Sequence, residues 1–256
     1  MTALRAADVC VTRGNYKLLD QVSLEASSGD FVAVIGANGA GKSTLLSVLA
    51  GLLKPDAGEV SLDGEKLASL AAGKLAQRRA YLPQNPRCEW PLSVERLVAL
   101  GLTPTLPALG GLPRSFLPKI TAALSACDLL EHRDQSVTTL SGGELARAML
   151  ARALVADPDV LIVDEPIAGL DPRHALDTTR RLRTLAREGK LVVASLHDLT
   201  LAGRYATRIF ALTRGRVEGD GPTADTLTAE LIRKTFEVEA SVAGTGTSLF
   251  VDFADA

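Results

Sequence analysis

The stretch FVAVIGANGAGKST, Phe31 to Thr44, places three glycines and a lysine between a continuous apolar run and a leucine-rich segment, LLSVLAGLL (45–53). Apolar residues in succession, without alternation, read as a strand buried on both faces. Leu45, Leu46, Val48, Leu49 and Leu52 then follow the spacing of one helix face. Glycine where a strand hands over to a helix has a physical use. The spacing is G-x-x-x-x-G-K-[ST], the phosphate-binding loop pattern. With no Cβ in the way, successive N–H groups of Gly36, Ala37, Asn38, Gly39, Ala40 and Gly41 can curl around an anion, and the helix N-terminus adds its partial positive charge. Lys42 would reach the β- and γ-phosphates, Ser43 would bind Mg²⁺, and Thr44 with the remaining amides would hold the α-phosphate side. An ordinary glycine turn can share the spacing. With glycine at about 7% of residues, chance produces it in on the order of 1% of chains this long, and the flanking strand and helix are further conditions that this chain meets.

What the phosphate grip serves is read from the second half. In VLIVDEP (160–166) the apolar run puts Asp164 at the carboxyl end of a buried strand, where open α/β sheets bind ligands. Asp164 would hold the Mg²⁺ shell, and Glu165 would orient and polarise a water attacking the γ-phosphate. Two acids solvated in a loop are the plain alternative, but a strand end together with a phosphate loop makes a coherent pair. LVVASLHDL (191–199) ends in the same manner, at His197; a lone histidine is more often structural, but one ending a buried strand of this sheet would lie near the γ-phosphate. Between these runs, Leu182, Leu185 and Ala186 recur among arginines at helical spacing. Strand and helix in alternation imply an α/β core with a mainly parallel sheet.

The middle of the chain differs. From about residue 87 to 156 the pattern is helical, in SVERLVAL, ITAALSACDLL and LARAMLARALV, around a Pro/Gly-rich loop from Thr103 to Pro118. We read a helical subdomain, 87–156, inserted into a nucleotide-binding core of 1–86 and 157–256, the whole being one domain. The tail from Glu237 reads as short strands with a glycine turn. Within the middle segment, Ser141 and Glu144 of TLSGGELARAMLARAL (139–154) form a capping box that opens a helix. Gly142 and Gly143 leave first-turn N–H groups bare to an anion. Two phosphate grips with one set of acids suggest that the second serves another subunit's nucleotide.

Composition narrows the classes. The 256 residues, 46% hydrophobic and 23% charged, suffice for a sizeable core. Lys and Arg total 28 against 30 Asp and Glu, a net charge of −2, so no nucleic-acid partner is expected. Cys10, Cys88 and Cys127 form no CxxC pair, which argues against a zinc or disulfide framework and for a reducing compartment; each reads as a small buried hydrophobe. The N-terminus, MTALRAADVC, has no apolar leader, and no run reaches the roughly 18 apolar residues of a membrane span. We expect a cytoplasmic chain whose membrane role, if any, needs a partner.

In this order of motifs the chain resembles the ATP-binding cassette family, over nearly its whole length. The Walker A loop GANGAGKST, YLPQ with Gln84, the signature LSGGE, the Walker B run VLIVDE, GLD with Asp171, and the switch histidine His197 follow one another as in that family. One such motif can be accidental; six in order cannot plausibly be. The resemblance implies a P-loop (RecA-like) core with an N-terminal antiparallel β portion and MgATP sandwiched in a head-to-tail dimer. Ser141, Gly142 and Gly143 of one subunit would contact the γ-phosphate held by Lys42 of the other. Tyr16 matches the place where the family stacks an aromatic ring on adenine, though a tyrosine there can equally pack on the sheet. Gln84 would bind Mg²⁺ or the attacking water and couple to a transmembrane permease. Glu144 replaces a commoner Gln, and Gly169 a commoner small residue; neither removes a phosphate ligand, so an active ATPase is implied. LSGGE, PLSVERLVALG and LHDLTLAGRYATRIFAL are similar to the importer branch for iron-siderophores, haem or cobalamin. That branch implies a peripheral subunit on the cytoplasmic face of the inner membrane, working with a periplasmic or surface binding protein. Cassettes acting on DNA or ribosomes are the alternative, disfavoured by the missing coiled-coil insertion, zinc module and basic patch. Trp90 would lie with Pro86 and Pro91 near the permease groove, or else partly buried among the helices.

Overall fold

The computed structural model describes residues 1–84, 88–106 and 112–254. Its elements in chain order begin with β1 (Ala3–Arg13), β2 (Tyr16–Ser27), β3 (Phe31–Ile35), α1 (Lys42–Leu49), β4 (Ala57–Leu62) and β5 (Glu65–Lys66). There follow α2 (Ala72–Arg78), β6 (Arg79–Leu82), α3 (Val94–Ala99), α4 (Leu117–Ala126), α5 (Gly142–Leu154), β7 (Val160–Val163), α6 (Pro172–Arg187) and β8 (Leu191–Ser195). The remainder is α7 (Leu199–Tyr205), β9 (Arg208–Thr213), β10 (Arg216–Pro222), α8 (Thr223–Thr226), α9 (Ala229–Phe236), β11 (Ala240–Ala243) and β12 (Phe250–Phe253).

Two sheets carry the architecture. An antiparallel sheet, β2-β1-β4-β5, holds the N-terminal portion, and a six-stranded sheet runs in the order β10-β9-β3-β8-β7-β6. In the second sheet β9, β3, β8, β7 and β6 are parallel, with β10 antiparallel on one edge. The three continuous apolar runs are therefore its inner strands, flanked on both sides, as the absence of alternation demands.

Side-chain alternation divides the core about this sheet. Phe31, Ala33 and Ile35 of β3 face a cluster completed by Leu161 and Val163, Val192 and Ala194, and apolar stripes of α3 to α7. Val32 and Val34 face the opposite cluster, with Val160, Ile162, Leu191 and Val193, against α1 and the antiparallel sheet. All five residues of β3 have no exposed surface. At about 1.5–3 kcal/mol for each fully buried large aliphatic side chain, this strand is anchored from both sides, and so is the loop that leaves it.

Several details depart from the sequence reading. The Thr103–Pro118 segment is not loop at its ends: Leu100–Thr105 and Arg114–Phe116 are 3-10 turns, and α4 already starts at Leu117. Pro118 is compatible with this because a first-turn residue lacks only an N–H that has no intrahelical partner. Cys127 is buried as expected, but Cys10 and Cys88 are half-exposed; Cys10 lies on the outer antiparallel sheet, where its Sγ accepts from Gln21 N at 3.3 Å. Trp90 is 72% exposed, which removes the reading of a partly buried tryptophan, while its suggested neighbour Pro86 lies outside the described residues. The tail forms the expected hairpin, β11 against β12 around a 3-10 turn at Gly246–Ser248, tied to α7 by Val251 N donating to Thr200 Oγ1 at 3.0 Å.

Candidate active site

The loop after β3 closes by hydrogen bonds from Ala40 N to Ala37 O and from Gly215 N to Ala40 O, at 3.1 and 3.0 Å. Two glycines are required by space as well as by conformation. Gly36 has φ 152°, and a Cβ there would sit 2.4 Å from Leu212 O. Gly41 has φ 104°, and its Cβ would sit 2.6 Å from Leu18 O. The loop thus packs closely against β9 and β2. Gly41 is the N-cap of α1, with no capping side chain and no acidic residue in the first turn; the helix opens with free donors and uncompensated partial positive charge.

Lys42 is 5% exposed, and its Nζ donates to Gly36 O at 2.8 Å and Ala37 O at 3.1 Å. Burial pushes this ammonium below its ordinary value, opposed by the nearby charges of Glu165 and Asp164. Asp164 directly follows β7 and continues its ladder, N donating to Leu82 O at 2.8 Å. Its carboxylate is 3% exposed and accepts from Ser195 Oγ at 2.6 Å. The same Ser195 oxygen accepts from Glu165 N at 2.7 Å. Glu165 sits at φ 49°, a left-handed conformation that a glutamate holds only where its surroundings impose it. That turn aims its side chain at two partners. Gln84 Nε2 donates to Oε2 at 2.5 Å, and His197 Nε2 meets Oε1 at 2.5 Å.

These groups line one cavity of about 590 Å³, whose wall includes Asn38, Gly39, Gly41, Lys42, Ser43, Thr44, Gln84, Glu165 and His197. Gly36, Ala37 and Ala40 shape the loop from behind and do not line it. Glu165 also borders an adjoining hollow of about 380 Å³ that reaches Gly142, and Asp164 lines that hollow but not the first cavity. Tyr16, 79% exposed at the start of β2, stands outside both cavities.

The signature segment stands apart from the loop but close to Asp171. Ser141 caps α5: its Oγ accepts from Glu144 N at 3.3 Å, and Glu144 Oε2 accepts from Ser141 N at 2.8 Å. Asp171 caps α6, accepting from His174 N at 3.0 Å and pairing with His174 Nδ1. The His174 backbone N–H, and then its ring, hold the Asp171 carboxyl below its ordinary value. The His174 ring in turn lies 3.7 Å from where a Cβ on Gly143 would be. Ser195 is the site residue that the sequence reading missed. Its signal was a lone hydroxyl in an otherwise apolar run, LVVASL, where an unpaired polar group would be costly.

A glycine loop between buried strand and helix, a buried lysine, and a carboxylate pair at the end of a parallel strand define a P-loop nucleoside triphosphatase. Comparison with known proteins narrows the class. Residues 19–168 match the ABC transporter family. The chain is 45% identical over 233 residues, 88% of its own length and 84% of the relative's, to a hemin import ATP-binding protein of Rhodopseudomonas palustris. It is 40% identical over 235 residues, 91% of its length and 79% of the relative's, to one of Rhodococcus jostii. Among solved structures it superposes with TM-score 0.75 and 26% identity, over 86% of this chain and 98% of the other, on an ATP-binding cassette captured as a dimer after hydrolysis with ADP and Pi. This chain belongs to the ABC transporter family. It is an ATP-binding cassette and an ATPase.

Proposed function

We propose that this cassette powers an importer of haem or a closely related metal chelate, hydrolysing MgATP at a head-to-tail dimer on the cytoplasmic face of the membrane, beneath a separate permease. The observation that carries the importer reading is the 45% identity to a hemin import ATP-binding protein over 88% of the chain. Iron-siderophore and cobalamin cargoes belong to the same reading. The division into a core of 1–86 and 157–256 with a helical segment 87–156 is part of the proposal. No helix among the described residues is long and apolar enough to cross a membrane.

The chemistry follows from the site. Lys42 would exchange the carbonyls of Gly36 and Ala37 for phosphate oxygens, which costs no new desolvation because the ammonium is already buried. Glu165 would orient the attacking water and take its proton, its carboxylate held by Gln84 and His197. Ser43, Gln84 and Asp164 offer oxygen donors of the kind a hard cation takes. No group of three or more His, Cys, Asp or Glu capable of holding a metal occurs among the described residues. Mg²⁺ arriving with the nucleotide would be completed by phosphate oxygens and water and would neutralise charge on the β- and γ-phosphates. Ser141, Gly142 and Gly143 would close on the γ-phosphate of the second subunit, with Asp171 beside them, and Tyr16 would stack on adenine, its exposed ring being free to do so.

The test is recovery of partners by the Glu165→Gln protein with ATP from detergent-solubilised membranes. A polytopic permease, whose complex in liposomes then shows cargo-dependent ATP turnover with a hemin-loaded binding protein, is the expected result. Recovery of ribosomal or DNA-associated proteins alone would overturn the transport assignment while leaving the ATPase intact.

A further inference from the structure

A second cavity, of about 1200 Å³, shares no lining residue with the one beside Lys42. It lies between the later part of α6, the end of α7 and the turn of the β11–β12 hairpin. Among the described residues its wall carries four arginines, Arg180, Arg183, Arg187 and Arg204, and no aspartate or glutamate. On a chain of net charge −2 such a concentration of one sign needs a reason.

Helix-end compensation accounts for part of it. Arg187 and Arg204 stand in the last turns of α6 and α7, where cations offset the helix dipole. Arg204 also ties down the hairpin, its Nε donating to Leu249 O at 2.6 Å. Neither reason covers Arg180 and Arg183, which lie in the turns before. With Arg187 they fall at i, i+3 and i+7, one face of the helix. Arg180 has a long contact to Asp177 at 3.6 Å on the exposed side and a bond to Tyr205 OH at 3.3 Å. Among the described residues, Arg183, Arg187 and Arg204 have no carboxylate within 4.0 Å. Burial, and then Arg187, push the Arg183 guanidinium below its ordinary value, with no acidic group to oppose them. A half-buried guanidinium beside a like charge is unfavourable unless an anion completes it.

We propose that this cleft is a binding site for a small polyanion bearing phosphate groups. Guanidinium forks suit phosphate oxygens bidentately. A row from residue 180 to 187 spans about 10 Å along the helix, so one ligand with several anionic groups can engage it. Hydroxyls of Thr245 and Thr247 supply neutral donors on the same wall. The cleft is concave and walled by several elements, which fits a compact ligand better than a strip of macromolecule. The site is independent of the importer reading.

The test uses full-length Lys42→Ala protein, which silences the phosphate loop, titrated calorimetrically with inorganic tripolyphosphate at 50 mM salt. One binding event is expected, weakened at least tenfold when Arg183→Ala and Arg187→Ala are added, and weakened again at 200 mM salt. The two arginine substitutions in the otherwise native chain should leave ATP binding, measured by equilibrium dialysis, unchanged, which shows that the variant is folded. Arg-dependent sedimentation with phosphatidylglycerol vesicles, alongside tripolyphosphate binding, would assign the phosphates to a lipid headgroup; its absence would assign them to a free solute. No tripolyphosphate binding, binding indifferent to the arginines, or binding only of polyglutamate would overturn the proposal.

Discussion

Ser195→Ala is the substitution that separates a structural from a chance role for the hydroxyl that bonds both Asp164 and the Glu165 backbone. Ser195 has no exposed surface, donates to Asp164 at 2.6 Å and accepts from Glu165 N at 2.7 Å. Alanine removes a hydrogen bond to a charged group, worth about 1.5–3 kcal/mol, and strands the Glu165 N–H, which costs about 1–3 kcal/mol more. The lost volume is a single oxygen, so the cavity contribution is small. Partial relaxation limits the total to about 3–5 kcal/mol, and at about 2–4 °C per kcal/mol for a chain of this size the Tm should fall by roughly 10 °C. Activity should fall as well. The φ of 49° at Glu165 is held by this bond, and release of that backbone moves the carboxylate away from Gln84 and His197. Thermal unfolding followed by far-ultraviolet circular dichroism without nucleotide, with a second scan to check reversibility, measures the first effect; steady-state phosphate release measures the second. Ser195→Thr keeps the hydroxyl but adds a methyl to a filled core, which costs about 1–3 kcal/mol, so it should lose stability while retaining more turnover than alanine. A Ser195→Ala protein that melts within 2 °C of the parent and turns over normally would refute the reasoning.

Glu165→Gln should bind ATP with near-parental affinity yet lose roughly 100-fold or more in turnover; a single-turnover assay that finds near-normal hydrolysis would remove Glu165 as the base. Glu144→Gln should destabilise α5 in a pH-dependent way. The Ser141 backbone N–H, and then its hydroxyl, hold the Glu144 carboxyl below its ordinary 4.5; its contribution is therefore complete above about pH 4.5 and is lost as pH falls through the lower folded value. Urea midpoints of parent and variant should differ at pH 7 and converge in acid, and a constant gap would contradict the charge-based account. Cys127, whose thiol burial pushes up to about 11, should resist alkylation at pH 8 in the folded protein while half-exposed Cys10 and Cys88 react; labelling of Cys127 at a comparable rate would show that α4 and its neighbours open readily.

What could be read from the residues alone follows from how local each constraint is. The phosphate loop was legible because an anion imposes backbone approach within a few consecutive residues, and at Gly36 and Gly41 a Cβ would meet carbonyls at 2.4 and 2.6 Å. The inner strands were legible because burial on both faces erases alternation in FVAVI, VLIV and LVVAS. Ser195 was not, since its two partners lie about thirty residues earlier, at Asp164 and Glu165, and become neighbours only when β7 pairs with β8. The left-handed turn at Glu165 was hidden for a related reason: no glycine marks it, because the surrounding hydrogen bonds, not the residue type, impose it. The arginine cleft combines both situations. Arg180, Arg183 and Arg187 form a readable stripe on one helix, which on sequence alone is an ordinary solvated face. Only the folded chain sets Arg204 and the Gly244–Thr247 turn across from it and turns that face into a wall. A charged stripe therefore acquires meaning from what is packed opposite, and among the described residues lining the cleft none is acidic.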